Sequence, residues 1–197
     1  MKKKFAVTFM VSGIICICVA VAILIYNNAE SKKAQQYAVT VMDSIVNVIS
    51  ENEQLDYEQD PFDTDMLTTE IDGYEYIGYL LIPRINMELP VMAQWDYTRL
   101  KLSPCRYYGS VKTDNLVIAA HNYRSQFGYL GNLTEGDIVM FTDMEGKTFT
   151  YEVTVVELLQ PTDTGKVKDT GDDLILYTCN YRGDARITVR CCRAGNQ

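Results

Sequence analysis

Residues 174–191 read LILYTCNYRGDARITVRC, and three side chains in or near this stretch could do chemistry together. Cys179 closes an apolar run. Arg186 follows seven residues later, past a short polar turn, NYRGD, that carries a glycine. His121, the one histidine of the chain, closes a second apolar run, NLVIAAHN, at 115–122. A thiolate is a strong nucleophile, and positive charge nearby lowers the pKa of a thiol. An imidazole can protonate a leaving amine and deprotonate an incoming one. A guanidinium can donate hydrogen bonds to a developing oxyanion or to a substrate backbone. Taken singly, each residue also has a plainer reading. Cys179 could be a small core side chain or half of a disulfide, His121 a structural residue, and Arg186 a strand-edge charge.

For the three to meet, the chain must deliver them to one place. From residue 76 onward the pattern is one of short strands separated by turn signals. It predicts strands over 76–85, 88–93, 105–111, 115–122, 137–143, 148–160, 173–179 and 186–193. Asp143, Glu145 and Gly146 suit a tight turn between the fifth and sixth. The segment RSQFGYLGNLTEG, between the fourth and fifth, has room for a helical turn. Eight strands in about 120 residues predict an antiparallel or mixed β-barrel. A hairpin through NYRGD would bring Arg186 back beside Cys179, and His121 would lie at the end of its own strand, on one rim.

The first 75 residues are of another kind. Lys2, Lys3 and Lys4 precede an uncharged apolar run over residues 5–26. As a helix this run would extend about 33 Å, close to the ~30 Å hydrocarbon core of a bilayer. It is longer than the apolar core of a cleaved signal peptide, and no clear cleavage site follows it. The expectation is an uncleaved anchor with the lysines in the cytoplasm and the bulk of the chain outside. Residues 29–58 read as a second helix, with Val41, Ile45, Val48 and Ile49 on one face, either a stalk or a helix packed on the domain. An acidic stretch broken by Pro61 then reads as a linker. The predicted organisation is a basic tip and anchor at 1–26, an outer helix and linker at 27–74, and a β-barrel domain at 75–197.

Composition narrows the function further. With 47% hydrophobic and 22% charged residues, the chain is globular. Of 18 basic residues three precede the anchor, and 26 residues are acidic, so residues from 27 onward carry a net charge of −11. That sign argues against a nucleic-acid partner. With one histidine and no C-x-x-C pair, a zinc site has too few ligands, and no metal is expected. Cys16 and Cys18 lie in the predicted span. Cys105, Cys191 and Cys192 lie outside it, where disulfides are permitted, and the sequence does not say whether Cys105 pairs with one of the other two.

Several of these segments together resemble sortases, the membrane-anchored cysteine transpeptidases of Gram-positive bacteria. LILYTC followed by ARITVR is similar to the T-L-x-T-C…R signature, with Ile175 in place of the first threonine and Leu176, Thr178 and Cys179 matching. VIAAHN resembles the strand bearing the family's histidine, and IGYLLIPRINMELPVM its opening strands. The likeness covers residues 75–193 and the anchor. It implies a sortase-type β-barrel in which Cys179 attacks the scissile carbonyl of a C-terminal sorting signal and forms a thioacyl-enzyme. It further implies that His121 is the acid/base and Arg186 the oxyanion or substrate-positioning residue, with Asn122 and Thr178 as supporting or substrate contacts. The implied partners are secreted proteins with a sorting motif, and peptidoglycan or its precursor as amine acceptor. No cofactor is implied. The short turn CNYRGDAR resembles class B enzymes, although the segment PTDTGKVKDTGDD leaves little room for their long helical insertion. Asp60, Pro61 and Phe62 resemble the lid motif of pilin-polymerising class C sortases, for which a linker turn is the plainer reading. The competing functions are pilin polymerisation through a lysine amine, and a catalytically silent, membrane-tethered binding barrel.

Overall fold

The computed structural model describes residues 2–52, 64–168 and 170–195. The predicted anchor and the first 24 residues of the predicted outer helix form a single rod. Helix α1 runs unbroken over Lys2–Asn52, and no proline interrupts it. Its N-terminal part is bare: an 18-residue window averages a hydropathy of 2.8, and none of it is buried. Farther along, Ala34, Ala38, Val41, Ile45 and Ile49 recur at three- and four-residue spacing and are buried, the stripe expected of a packed helix. Val41, Ile45 and Ile49 meet Tyr76, Met92, Leu100 and Cys105, with Val48 at the margin. Polar contacts pin the helix along its length. Ser125 Oγ donates to Ser31 O (2.8 Å), the Tyr37 and Tyr76 hydroxyls share a 2.7 Å bond, and Asn52 Nδ2 donates to Met144 O (2.9 Å). The helix is therefore packed on the domain and is not a free stalk. Residues 53–58 of the predicted helix lie outside the described residues.

Nine strands follow: β1 (Thr69–Ile71), β2 (Tyr74–Ile82), β3 (Met87–Met92), β4 (Cys105–Tyr108), β5 (Leu116–Ala119), β6 (Ile138–Asp143), β7 (Thr148–Leu159), β8 (Leu174–Cys179) and β9 (Arg186–Arg193). Eight of them run in the order β2-β3-β4-β5-β8-β9-β7-β6, and β6 pairs back onto β2. That closes an eight-stranded barrel, as the eight predicted runs require. The pairings β3–β4 and β5–β8 are parallel, and the others antiparallel. Alternate residues fill the inside, among them Leu80, Val91, Ile118, Phe141, Tyr151, Leu176 and Val189, the packing expected of a small barrel.

One strand corrects the linker reading. β1 forms a hairpin with β2 on its outer edge, inside the stretch read as linker. Its turn is Asp72 and Gly73, with φ of 51° and 77°, the positive pair that the tightest hairpin turns need. The helical turn between β5 and β6 is a 3₁₀ turn at Phe127–Asn132. The turn between β6 and β7 is tied by Asp143 Oδ1, which accepts from Glu145 N (3.0 Å) and Lys147 N (2.9 Å).

Closure depends on Gly78. It pairs with Val91 on one side and Asp143 on the other, at a break in the β2–β3 register. Its φ is 138°, and a Cβ there would stand 1.9 Å from Thr142 O. Neither the angle nor the space admits a side chain without moving backbone. Gly78→Ala is expected to destabilise the barrel by about 2–4 kcal/mol, read as a lowered urea midpoint by circular dichroism of the detergent-solubilised chain.

Candidate active site

The β8–β9 ladder ends with Cys179 opposite Arg186. On the other side of β8, β5 runs parallel to it, in register from Leu116 with Leu174 to Ala119 with Tyr177. The same 58-residue offset continues beyond β5. Ala120 N donates to Tyr177 O (3.2 Å), Thr178 Oγ1 donates to Ala120 O (2.8 Å), and Asn122 Nδ2 donates to Asn180 O (3.2 Å). His121 thus comes level with Cys179. With strands in the order β5-β8-β9, Cys179 is on the central strand, with Arg186 opposite it on one side and the chain that carries His121 on the other. Leu174, Leu176 and Thr178 are buried on the core side of β8, so the alternation of a strand puts Ile175, Tyr177 and Cys179 on its outer face.

The turn between Cys179 and Arg186 is knitted by Asn180. Its backbone N–H donates to Ala185 O (3.0 Å), its Oδ1 accepts from Ala185 N (3.3 Å), and its Nδ2 donates to Asp184 Oδ1 (2.7 Å). Arg186 Nη1 donates to Ala185 O (3.2 Å) and reaches Gly183 O at 3.5 Å. No carboxylate pairs with Arg186 among the described residues.

His121 is held by a residue that sequence reasoning missed. Gln126, 1% exposed, accepts from His121 N through Oε1 (3.0 Å) and donates to Leu100 O through Nε2 (3.2 Å). Phe127 N donates to His121 O (3.0 Å), and the imidazole stacks on the Tyr123 ring at 4.8 Å and 24°. Gln126 and Asn180 lie in polar turns, where nothing in their spacing marks them; the only signal is an amide within five residues of a candidate catalytic group. Thr178, expected as a supporting or substrate contact, is buried, and its hydroxyl is used to strap β8 to Ala120. Asn122 is half-buried at the rim.

Burial pushes the His121 imidazole below its ordinary value, and the nearby Lys101 charge adds to the shift. The ring is therefore neutral at pH 7, ready to accept a proton. The four cysteines of the barrel are free thiols. Cys105 and Cys191 are fully buried. Burial raises the Cys105 thiol to about 12 and that of Cys191 also upward, so both stay protonated. Cys179 and Cys192 are half-buried.

A family model described as a sortase domain matches residues 80–194, more than half of the chain. The chain belongs to the sortase family. It is 31% identical over 116 residues to sortase D of Bacillus subtilis (strain 168), a match covering 55% of this chain and 58% of that protein. The chain thus spans less than two thirds of that relative. Among solved structures, sortase C1 from Streptococcus suis is 27% identical with a TM-score of 0.54, over 63% of this sortase and 75% of that chain. Sortase C of Streptococcus pneumoniae has the same fold, with 24% identity and a TM-score of 0.55 over 84% and 88% of the two chains. These three relatives are sortases C and D, whereas the turn CNYRGDAR resembles class B. The lid reading of Asp60, Pro61 and Phe62 falls outside the described residues.

Two measurements check the electrostatics of the rim. A histidine-selective NMR titration of this sortase gives a single imidazole, whose midpoint is expected below the ordinary value of about 6.5. By linkage, His121 then contributes stability that is present above pH ~6.5 and is lost as pH falls toward the folded-state value. A small thiol reagent at neutral pH is expected to label Cys179 and Cys192 in the folded protein, and Cys105 and Cys191 only after unfolding.

Proposed function

We propose that this sortase is a membrane-anchored cysteine transpeptidase that cleaves a C-terminal sorting signal of secreted proteins and transfers them to a cell-wall amine. The observation that supports the reading is the β5-β8-β9 register, in which Cys179 lies opposite Arg186 and level with His121. The Cys179 thiol gives its proton to His121 as sulfur attacks the scissile carbonyl. Arg186 donates hydrogen bonds to the oxyanion that forms. As the intermediate collapses, the imidazolium returns the proton to the departing amine, leaving a thioacyl-enzyme. An incoming amine then loses its proton to His121 and attacks the thioester. Sulfur leaves, takes the proton back, and the cycle closes with one peptide bond broken and one formed. Asn122, at the rim beside His121, is a substrate contact in this scheme, and Thr178 supports Cys179 from the core side.

Residues 5–26 anchor the chain as a single span, with the basic tip in the cytoplasm and the barrel outside. The apolar, unburied N-terminal part of α1 supports this. The acceptor is peptidoglycan or its precursor. A second reading takes a pilin lysine as acceptor, favoured by the likeness to sortases C, one of which is described for its pilin substrate specificity.

The test is peptide cleavage and amine transfer by purified variants that keep the parent circular dichroism spectrum. Cys179→Ala is expected to abolish both activities. His121→Ala should cost about 10²–10⁴-fold, because the chain holds no other histidine. Arg186→Lys should fail as well, since an ammonium lacks the planar donor fork. Full activity in folded Cys179→Ala would sink the mechanism. Supplying a peptidoglycan amine or a pilin lysine in the same assay separates the two acceptors.

A further inference from the structure

One open cleft of about 740 Å³ joins the end of the apolar stretch to the active-site rim. Leu24 and Ile25 of α1 form one wall. Asn122, Tyr123 and Arg124, just past His121, and Tyr181, two residues past Cys179, form the other. Ser31 is bonded to Ser125 through both its hydroxyl (3.0 Å) and its carbonyl (2.8 Å), which ties the helix to this position. From Ile25 to Ser31 the helix climbs only about 9 Å. The interfacial layer outside the hydrocarbon core is itself about 5–8 Å deep on each side. If Ile25 lies at the edge of the hydrocarbon, the rim lies among the headgroups.

The side chains there suit that layer. Tyr26 is 60% exposed and Tyr181 75%, and tyrosine concentrates where a ring can sit in apolar surroundings with its hydroxyl in water. Arg124 is exposed, and no carboxylate pairs with it among the described residues. The three segments that meet at the cleft, 27–33, 121–126 and 180–186, carry five cationic residues against two acidic ones. The rest of the outer chain carries 10 basic residues against 24 acidic ones, so this end has the opposite charge balance.

We infer that the active-site rim docks on the bilayer surface, with Arg124 on lipid phosphates and Tyr123 and Tyr181 in the headgroup layer. The inference rests on the membrane-anchor reading above. It means that the enzyme acts on peptide bonds presented at the bilayer surface, and that a peptide in bulk water must reach a mouth partly closed by lipid.

The test uses the full chain reconstituted in vesicles of phosphatidylcholine and phosphatidylglycerol, with bromine placed near the glycerol end of the acyl chains. Trp95, the one tryptophan, is replaced in a Trp95→Phe background, and a reporter is introduced as Tyr181→Trp or Lys147→Trp. Lys147 lies in the β6–β7 turn, beside Met144, which binds the far end of α1 at Asn52; that end is about 30 Å farther along the helix than Ser31. Bromolipid is expected to quench the reporter at 181 at least twofold and to leave the one at 147 unchanged. Adding Arg124→Glu should at least halve the quenching at 181. If the protein floats with the vesicles but position 181 is unquenched, docking is overturned and the anchor stands. If it does not float, the anchor reading fails and docking falls with it. Equal quenching at both positions overturns the orientation, and unchanged quenching in Arg124→Glu overturns the phosphate contact. With Trp95 left in place the same comparison is read as a difference from the parent chain, which covers a Trp95→Phe variant that fails to fold.

Discussion

Parallel strands cannot be joined by a tight turn, and the pairing of β5 with β8 is reached only after the chain has left to build β6 and β7 on the far side of the barrel. The position of His121 relative to Cys179 depends on the register of that pairing. A slip of one residue would turn Cys179 toward the core and Thr178 outward, because side chains alternate along a strand. Leu116 and Ile118 opposite Leu174 and Leu176 fix the register from within the barrel. The Thr178 strap and the Asn122–Asn180 bond fix it at the rim. The antiparallel ladder of β8 with β9 then sets Arg186 without further help, since Cys179 and Arg186 are its last pair.

The same strand arithmetic sorts the chemistry of the thiols. Cys105 and Cys191 are buried where an ionised sulfur would be costly, and they behave as small apolar groups. Cys179 is at a strand end on the outer face, opposite Arg186 and level with His121. Nothing in the identity of a cysteine distinguishes these cases; the parity of its position along a strand and its distance from the barrel end do. The histidine is likewise defined by its surroundings. Burial lowers its proton affinity, and Gln126 holds its backbone N–H.

Most of the barrel was legible because its strands obey one rule, apolar runs bounded by turn residues, and each of the eight predicted runs became a barrel strand. The cysteine, histidine and arginine stood out as candidates because they end or begin such runs. β1 was missed although Asp72 and Gly73 are a strong hairpin signal, because three residues bearing Thr, Glu and Ile look like the acidic segment around them. The continuity of α1 was missed because the composition changes at Tyr26 from apolar to mixed, while the backbone has no proline or glycine there to mark an end. Gln126 and Asn180 were beyond reach for a different reason. Their role is to bond backbone groups of residues brought near by folding, and a hydrogen bond of that kind leaves no periodic trace in the chain.

The parallel pairing also sets the order in which the molecule can mature. Hairpins such as β8–β9 close over a few residues, whereas the contact of β5 with β8 must first meet the entropy of a long loop. Cys179 and Arg186 face each other across such a hairpin, whereas His121 reaches them only when the distant strands pair. A chain in which β5 and β8 have not met holds Cys179 and Arg186 together without His121 beside them.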